Sequence, residues 1–151
     1  MPAFFDYTAS SVDLPAVLVA NGLGVCLMVM LLTGQRRHRP AQLADGRIFA
    51  WICRICLLLC LLESGGFLLD GRSFPGARAA ALVCNVLLFM LGALPAYLWV
   101  CCLNSRIRRR WRLLAALPAA GVMALSAANL FVDVFFGITA DNVYYRAPLA
   151  W

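Results

Sequence analysis

Four long apolar runs, separated by short polar segments, constrain the fold of this chain more than any other feature. An α-helix of about twenty residues, rising about 1.5 Å per residue, crosses a hydrocarbon core of roughly 30 Å. The chain is 64% hydrophobic and its mean hydropathy is +0.84, too apolar for a soluble domain of 151 residues. The sequence therefore predicts one all-α membrane domain, residues 1–151, with four transmembrane helices over about 14–33, 48–69, 79–103 and 113–136.

The arginines predict how these helices are oriented. Nine of the thirteen basic residues lie in the two segments 34–47 and 104–112, and only three lie in the other polar segments. Positive residues concentrate in cytoplasmic loops, so the N-terminus and the tail after helix four should lie outside. The residues that set this topology are Arg36, Arg37, Arg39, Arg106, Arg108, Arg109 and Arg110. The net charge of +6 then reports topology and does not indicate a nucleic-acid partner.

Glu63 lies well inside the second apolar run, where an ionisable side chain normally faces a partner and not lipid. Counted from the outer ends of the four helices at about 1.5 Å per residue, one polar residue in each helix falls roughly 9–11 Å inward. These four residues are Asn21, Glu63, Asn85 and Asn129. The shared depth predicts an intramembrane polar layer, which serves either helix packing or the floor of an outward-opening ligand cavity.

No catalytic, cofactor-binding or metal-binding constellation is recognisable in the sequence. There is no glycine-rich phosphate loop and no Ser-His-Asp or Cys-His arrangement. The Cys-x2-Cys of Cys53 and Cys56 lies inside an apolar helix with no histidine nearby, unlike a zinc knuckle. We therefore expect no cofactor, no metal and no enzymatic activity. The predicted partners are the lipid bilayer and either a second copy of the chain or another membrane protein.

Polar residues in the second half of the chain carry a resemblance. They occur in the runs LLESGGFLLDGR, RAAALVCNVLLFMLGALPAYLWVCCLNSRI and LFVDVFFGITADNVYYRAPLAW. Residues 50–151 resemble the N-terminal multi-helix membrane region of bacterial GGDEF-type diguanylate cyclases and related sensor kinases. The family's polar positions correspond here to Asp70, Gly71, Asn85, Tyr97, Trp99, Asn142, Tyr144 and Arg146. Ala147 stands where the family tends to have glycine.

The resemblance implies a sensory input region in the bacterial cytoplasmic (inner) membrane. It also implies that further helices and a cytoplasmic output domain follow, and that any cyclase or kinase activity belongs to that domain. Because the tail turns apolar again after Arg146, we expect the sequence to be the front part of a longer sensor, ending before a fifth helix.

Two other functions remain open at this point. The chain could be a small four-helix transporter in which Glu63 couples a proton or cation. It could instead bind another membrane protein through small residues, which let helices approach closely. The helix faces that would serve such packing are Gly92 with Ala96, and Ala120 with Ala124 and Ala128.

Overall fold

A computed structural model describes residues 13–37, 44–103 and 109–147. It contains four helices followed by a two-stranded antiparallel sheet. The prediction of an α-helical chain with four helices is confirmed, and the small sheet was not predicted. The elements are α1 Leu14–Arg37, α2 Ala44–Leu69, α3 Ala77–Leu103, α4 Arg109–Ala128, β1 Phe136–Ile138 and β2 Tyr144–Arg146.

Several helices extend beyond their apolar segments at the arginine-rich end. α1 continues to Arg37 instead of ending at residue 33, and α2 and α4 begin at Ala44 and Arg109 instead of residues 48 and 113. Backbone hydrogen bonding does not require an apolar side chain, and Ala and Arg are both good helix formers. Helices of this kind can therefore continue through the polar boundary of a membrane.

The predicted end of helix four at residue 136 is wrong. α4 ends at Ala128, and Phe136 begins a strand. Val134, Phe135 and Phe136 favour extended backbone. In this chain they lead into or begin β1, which pairs with Tyr144–Arg146. The apolar segment of α4, Leu113–Ala128, is shorter than those of the other helices. Three helices are long and apolar enough to cross a membrane, over Leu14–Gln35, Gly46–Leu69 and Ala77–Cys102.

Consecutive helices pack against each other, α1 on α2, α2 on α3 and α3 on α4. The pairing is antiparallel: Gln35 near the end of α1 donates a hydrogen bond to the carbonyl of Gly46 near the start of α2 (2.6 Å), while Gly24 lies against Cys60. In the same way, Gly66 near the end of α2 lies against Asn85 near the start of α3. We call the end that carries the strands the hairpin end, and the opposite end the basic end.

The sides of the bundle are apolar and open. Val19, Leu23, Leu27 and Met30 of α1 are all more than half exposed and recur three to four residues apart, so they share one helix face. Such a face suits lipid contact. The buried hydrophobic cluster lies instead at the hairpin end and is formed by Ala81, Val86, Phe136 and Ile138.

The contact between α1 and α2 can be tested at Gly24. A β-carbon at this position would lie 2.9 Å from the Cys60 sulfur, whereas nothing lies within 4 Å of one at Gly22. We expect Gly24→Ala to lower the free energy of unfolding by about 1–3 kcal/mol relative to Gly22→Ala, as overpacking does. Unfolding in mixed micelles would measure the difference. Cys60→Ala should relieve the effect of Gly24→Ala, and equal stabilities of the two alanine variants would contradict the close contact.

Candidate functional site

A β-hairpin closes one end of the helix bundle. Phe136, Gly137 and Ile138 pair with Arg146, Tyr145 and Tyr144 respectively. The turn is closed by a hydrogen bond from the Thr139 amide to the Val143 carbonyl (3.0 Å) and by one from the Val143 amide to the Thr139 hydroxyl (3.1 Å). The Tyr145 ring covers Gly137 so closely that no β-carbon would fit there. The hairpin is therefore a compact and specifically built unit.

Phe136 anchors this hairpin in the bundle. Its side chain is fully buried, with its ring centroid 5.5 Å from that of Phe89 on α3 and 5.5 Å from that of Tyr144 on β2. Phe89 also stacks on Phe135 at 5.7 Å. Aromatic pairs in this range of separations contribute about 0.5–1.5 kcal/mol beyond the area they bury. The stack therefore ties the hairpin to the first half of α3.

Asn129 shapes the chain between α4 and the hairpin. Its side-chain oxygen accepts hydrogen bonds from the amides of Phe135 (2.6 Å) and Phe136 (3.3 Å), and its side-chain nitrogen donates to the Phe136 carbonyl (2.9 Å). The residue is only 2% exposed. The amide thus supplies partners to buried backbone groups, which would otherwise be unsatisfied, and it lies just past the last residue of α4.

Asn142 fastens the hairpin turn to the end of α2. Its side-chain nitrogen donates to the carbonyls of Leu69 (2.7 Å) and Arg72 (2.9 Å), and its own carbonyl accepts from the Gly71 amide (2.9 Å). The last carbonyls of a helix have no partner within the helix, so Asn142 acts as a cap supplied from a distant part of the chain. Gly71 and Asn142 both have positive φ, 68° and 60°, a conformation that Gly and Asn tolerate best.

Asp70 adds a further hydrogen bond between the end of α2 and the hairpin. We call this connection the α2–hairpin lock, and it is formed by Asp70, Gly71, Asn142 and Tyr144. The Asp70 carboxylate accepts a hydrogen bond from the Tyr144 amide (3.0 Å). Four of the residues that carry the family resemblance are thus brought together at the hairpin end, and Arg146 is on the same strand as Tyr144. Tyr97 and Trp99 lie apart from them, in the second half of α3.

A cavity of about 200 Å³ lies beside the lock, between α2, α3 and the hairpin. Its lining consists of two carboxylates, an amide, three aromatic rings and a guanidinium, together with one leucine and one glycine. The lining residues are Glu63, Gly66, Phe67, Asp70, Asn85, Leu88, Phe89, Tyr144 and Arg146. We call it the Glu63 cavity. Its volume is below the usual range of about 300–1,000 Å³ for drug-sized ligands, so it suits a smaller molecule.

The structure brings part of the predicted polar layer to this cavity. Glu63 and Asn85 both line it, and Asn85 also donates a hydrogen bond to the Ala81 carbonyl of its own helix (2.9 Å). Asn21 is buried and its side-chain nitrogen has no partner in the described part of the chain. Gly24 of α1 contacts Cys60 of α2. Because the two helices are antiparallel, Asn21, three residues before Gly24, lies at the level of Glu63, three residues after Cys60. Asn129 lines a different cavity, near Arg78 and Asp133.

The electrostatics of the site depend on the Glu63 carboxylate, which has no partner among the described residues. The Glu63 side chain is half-buried, and it makes no hydrogen bond or ion pair with any residue that the structure describes. At the cavity edge, burial raises the pKa of the Tyr144 phenol, and the neighbouring Arg146 guanidinium partly offsets this. On the outer side of the hairpin, the Tyr145 hydroxyl donates to the Asp133 carboxylate (2.7 Å), and this hydrogen bond raises the pKa of Tyr145.

Those topology-setting arginines that the structure describes lie at the basic end of the bundle, opposite the hairpin. Arg36 and Arg37 close α1, and Arg109 and Arg110 open α4. Arg39, Arg106 and Arg108 lie outside the described residues. All seven cysteines are free, and among residues 13–37, 44–103 and 109–147 no group of three or more His, Cys, Asp or Glu side chains is placed to hold a metal ion.

The sequence reasoning missed the aromatic lining of the cavity and the hairpin that covers it. One signal was present: the β-branched and aromatic residues at 134–138 and 143–145 flank the turn pair Asp141-Asn142, a pattern typical of a hairpin. Phe67 and Phe89 carried no such signal, because phenylalanine in an apolar helix is ordinary. The chain matches no family model, and no curated protein or solved structure matches it.

The α2–hairpin lock predicts that Asn142 is important for stability. Asn142→Ala removes two hydrogen bonds, and alanine adopts positive φ less readily than asparagine does. We therefore expect the free energy of unfolding to fall by about 2–3 kcal/mol. Asn142→Gly keeps the backbone conformation and should lose about half as much, since only the bonds are absent. Amide hydrogen exchange of residues 136–146 would locate the loosening. Wild-type protection in both variants would contradict the lock.

The contact of Tyr145 with Asp133 predicts a pH dependence. The folded pKa of this phenol is raised, so its stabilising effect is fully present below the ordinary tyrosine value of about pH 10 and is lost as pH rises through the folded value. Phenolate absorbance followed against pH should show a tyrosine that titrates late in the wild type and earlier in Asp133→Asn. Tyr145→Phe identifies that transition by removing it. Identical titration curves for the wild type and Asp133→Asn would refute the assignment.

Proposed function

We propose that the chain is the membrane-embedded sensory region of a bacterial signalling protein, and that it binds a small ligand with a cationic ammonium group in the Glu63 cavity. In this proposal it lies in the cytoplasmic membrane with four spanning helices, the hairpin end faces outward, and the chain itself catalyses nothing. The observation that carries the proposal is a cavity beneath the hairpin, lined by the Glu63 carboxylate, which has no partner among residues 13–37, 44–103 and 109–147.

The chemistry of the lining favours a positively charged group. A carboxylate at membrane depth is costly without a partner, by about 2.5–3.5 kcal/mol on insertion scales for the helix centre, and a ligand cation would supply that partner at Glu63. The rings of Phe67, Phe89 and Tyr144 line the same space, and aromatic faces attract ammonium groups. Arg146 in the lining would meet a carboxylate if the ligand were zwitterionic.

The position of the cavity suggests how binding would become a signal. Asp70 and Tyr144 line the cavity and also form the α2–hairpin lock. A ligand in the cavity would therefore favour the docked hairpin over an undocked one, and with it one packing of α2 against α3. A ligand shifts such an equilibrium only by its difference in affinity for the two states. An output domain joined to the helices would report that shift.

The transporter function uses the same carboxylate and remains the alternative. A half-buried Glu63 beside a cavity is compatible with coupling to a proton or cation. The assembly-partner function would use surfaces that the described chain leaves open, since Gly92, Ala96, Ala120, Ala124 and Ala128 are all exposed. Ligand binding without flux separates the sensory function from the transporter.

The test is ligand-dependent stability of the purified chain in lipid nanodiscs. Choline and glycine betaine serve as probes, with glycerol and acetate as neutral and anionic controls. At a hundred times its dissociation constant a ligand should raise the unfolding free energy by about 2.7 kcal/mol. We expect this for at least one of the two quaternary ammonium probes with the wild type and not with Glu63→Gln. Asp141→Asn, which neutralises a carboxylate in the exposed turn, should respond like the wild type.

Four results would count against the proposal. Equal stabilisation of Glu63→Gln and the wild type would remove Glu63 from the site, and stabilisation by neither probe would argue against an ammonium ligand. Probe-dependent proton flux in liposomes that is lost in Glu63→Gln would establish the transporter instead. Bulky replacements at Ala120 and Ala124 that abolish co-purification with a membrane protein would favour the assembly function.

A further inference from the structure

A second cavity lies at the basic end, between α1 and α2, and has a volume of about 290 Å³. Leu32 and Gln35 of α1 and Gly46, Arg47, Trp51 and Arg54 of α2 line it. It is separate from the Glu63 cavity and shares no residue with it. Both charged side chains among these described lining residues are guanidinium groups, so this cavity is suited to an anion.

The two helices hold the cavity in a defined shape. The hydrogen bond from Gln35 to the Gly46 carbonyl (2.6 Å) joins the end of α1 to the start of α2. Arg47 and Arg54 are seven residues apart, two helical turns, and therefore share a face of α2. The Arg54 guanidinium lies 5.1 Å from the centroid of the Trp51 ring, a cation–π contact that orients its planar fork.

We propose that this cavity binds the phosphate group of an anionic phospholipid. Guanidinium forks match phosphate oxygens in geometry and charge, and the side chains of Arg47 and Arg54 both line this cavity. The cavity lies where the apolar segment Leu14–Gln35 ends and the segment Gly46–Leu69 begins, and in a membrane-spanning bundle these segment ends would lie near the lipid headgroups. Trp51 is 56% exposed beside it, as is typical of an aromatic residue at a membrane interface.

The neighbouring surface favours a lipid over free phosphate. Leu31 of α1 and Leu58 and Leu61 of α2 are exposed apolar residues on the helices that form the cavity. A phospholipid would place its phosphate between Arg47 and Arg54 and lay its acyl chains along these apolar helix sides. Inorganic phosphate would gain only the first of these contacts, so the lipid should bind more tightly.

Native mass spectrometry of the full chain in detergent, titrated with phosphatidylglycerol or phosphatidylcholine, tests the site. We expect the wild type to retain phosphatidylglycerol in preference to phosphatidylcholine. In Arg47→Gln/Arg54→Gln this preference should fall by about thirtyfold, because each arginine near the surface contributes about 1 kcal/mol to the binding of an anionic lipid. The matched control Arg109→Gln/Arg110→Gln removes the same charge at the same end and should keep the preference. Arg47→Lys/Arg54→Lys should keep part of it, because charge remains but the forks are lost.

The outcomes separate the possible sources of phosphate. Unchanged preference in Arg47→Gln/Arg54→Gln, or an equal loss in the control pair, would overturn the proposed site. Inorganic phosphate that displaces the lipid at equal concentration would overturn the assignment to a lipid. Circular dichroism of each variant would verify that the helices are retained. If Arg47→Gln/Arg54→Gln is unfolded, the comparison of Arg47→Lys/Arg54→Lys with the wild type decides, and equal lipid preference in that pair would overturn a site that depends on guanidinium geometry.

Discussion

The arrangement at the hairpin end depends on the need to satisfy the last carbonyl groups of α2. A helix leaves these carbonyls without an internal partner, so each of them needs a donor from another part of the chain or from solvent. Here the chain returns 70–73 residues later, and Asn142 donates to the carbonyl of Leu69, the last residue of α2, and to the carbonyl of Arg72 in the turn beyond it. That return positions the turn, and the strands on either side of it then bury Phe136.

The hairpin closes one end of the helix bundle and completes the Glu63 cavity. Without it, α2 and α3 would present Glu63 and Asn85 toward an open end. With it, Tyr144 and Arg146 form part of the lining of a small cavity, and Asp70 links the cavity to the backbone of β2. The same residues therefore hold the fold together and surround the space where a ligand would lie, which is why binding and helix packing would be coupled.

The two ends of the bundle differ in their chemistry. The hairpin end combines carboxylates with aromatic rings, and the basic end combines guanidinium groups with Trp51 at the boundary of the apolar segments. Between them the helix sides are apolar and exposed. A bundle with this distribution is suited to lipid surroundings, and in the described part of the chain the two polar cavities discussed above lie at opposite ends. The proposed ligand and the proposed lipid phosphate would therefore bind without competing.

The sequence by itself determined the number of helices, their approximate positions and the end at which the arginines collect, because these follow from local hydropathy and from charge that is read one segment at a time. It also drew attention to Glu63, Asn85, Asp70 and Asn142. Only the tertiary structure decided that α4 ends at Ala128, that Asn129 bonds the backbone at Phe135 and Phe136, and that Phe67 and Phe89 line a cavity. Phe67 and Phe89 meet the hairpin only through contacts between elements far apart in sequence. The bonds of Asn129 are local, but they depend on a turn after α4 that the hydropathy of the segment does not indicate.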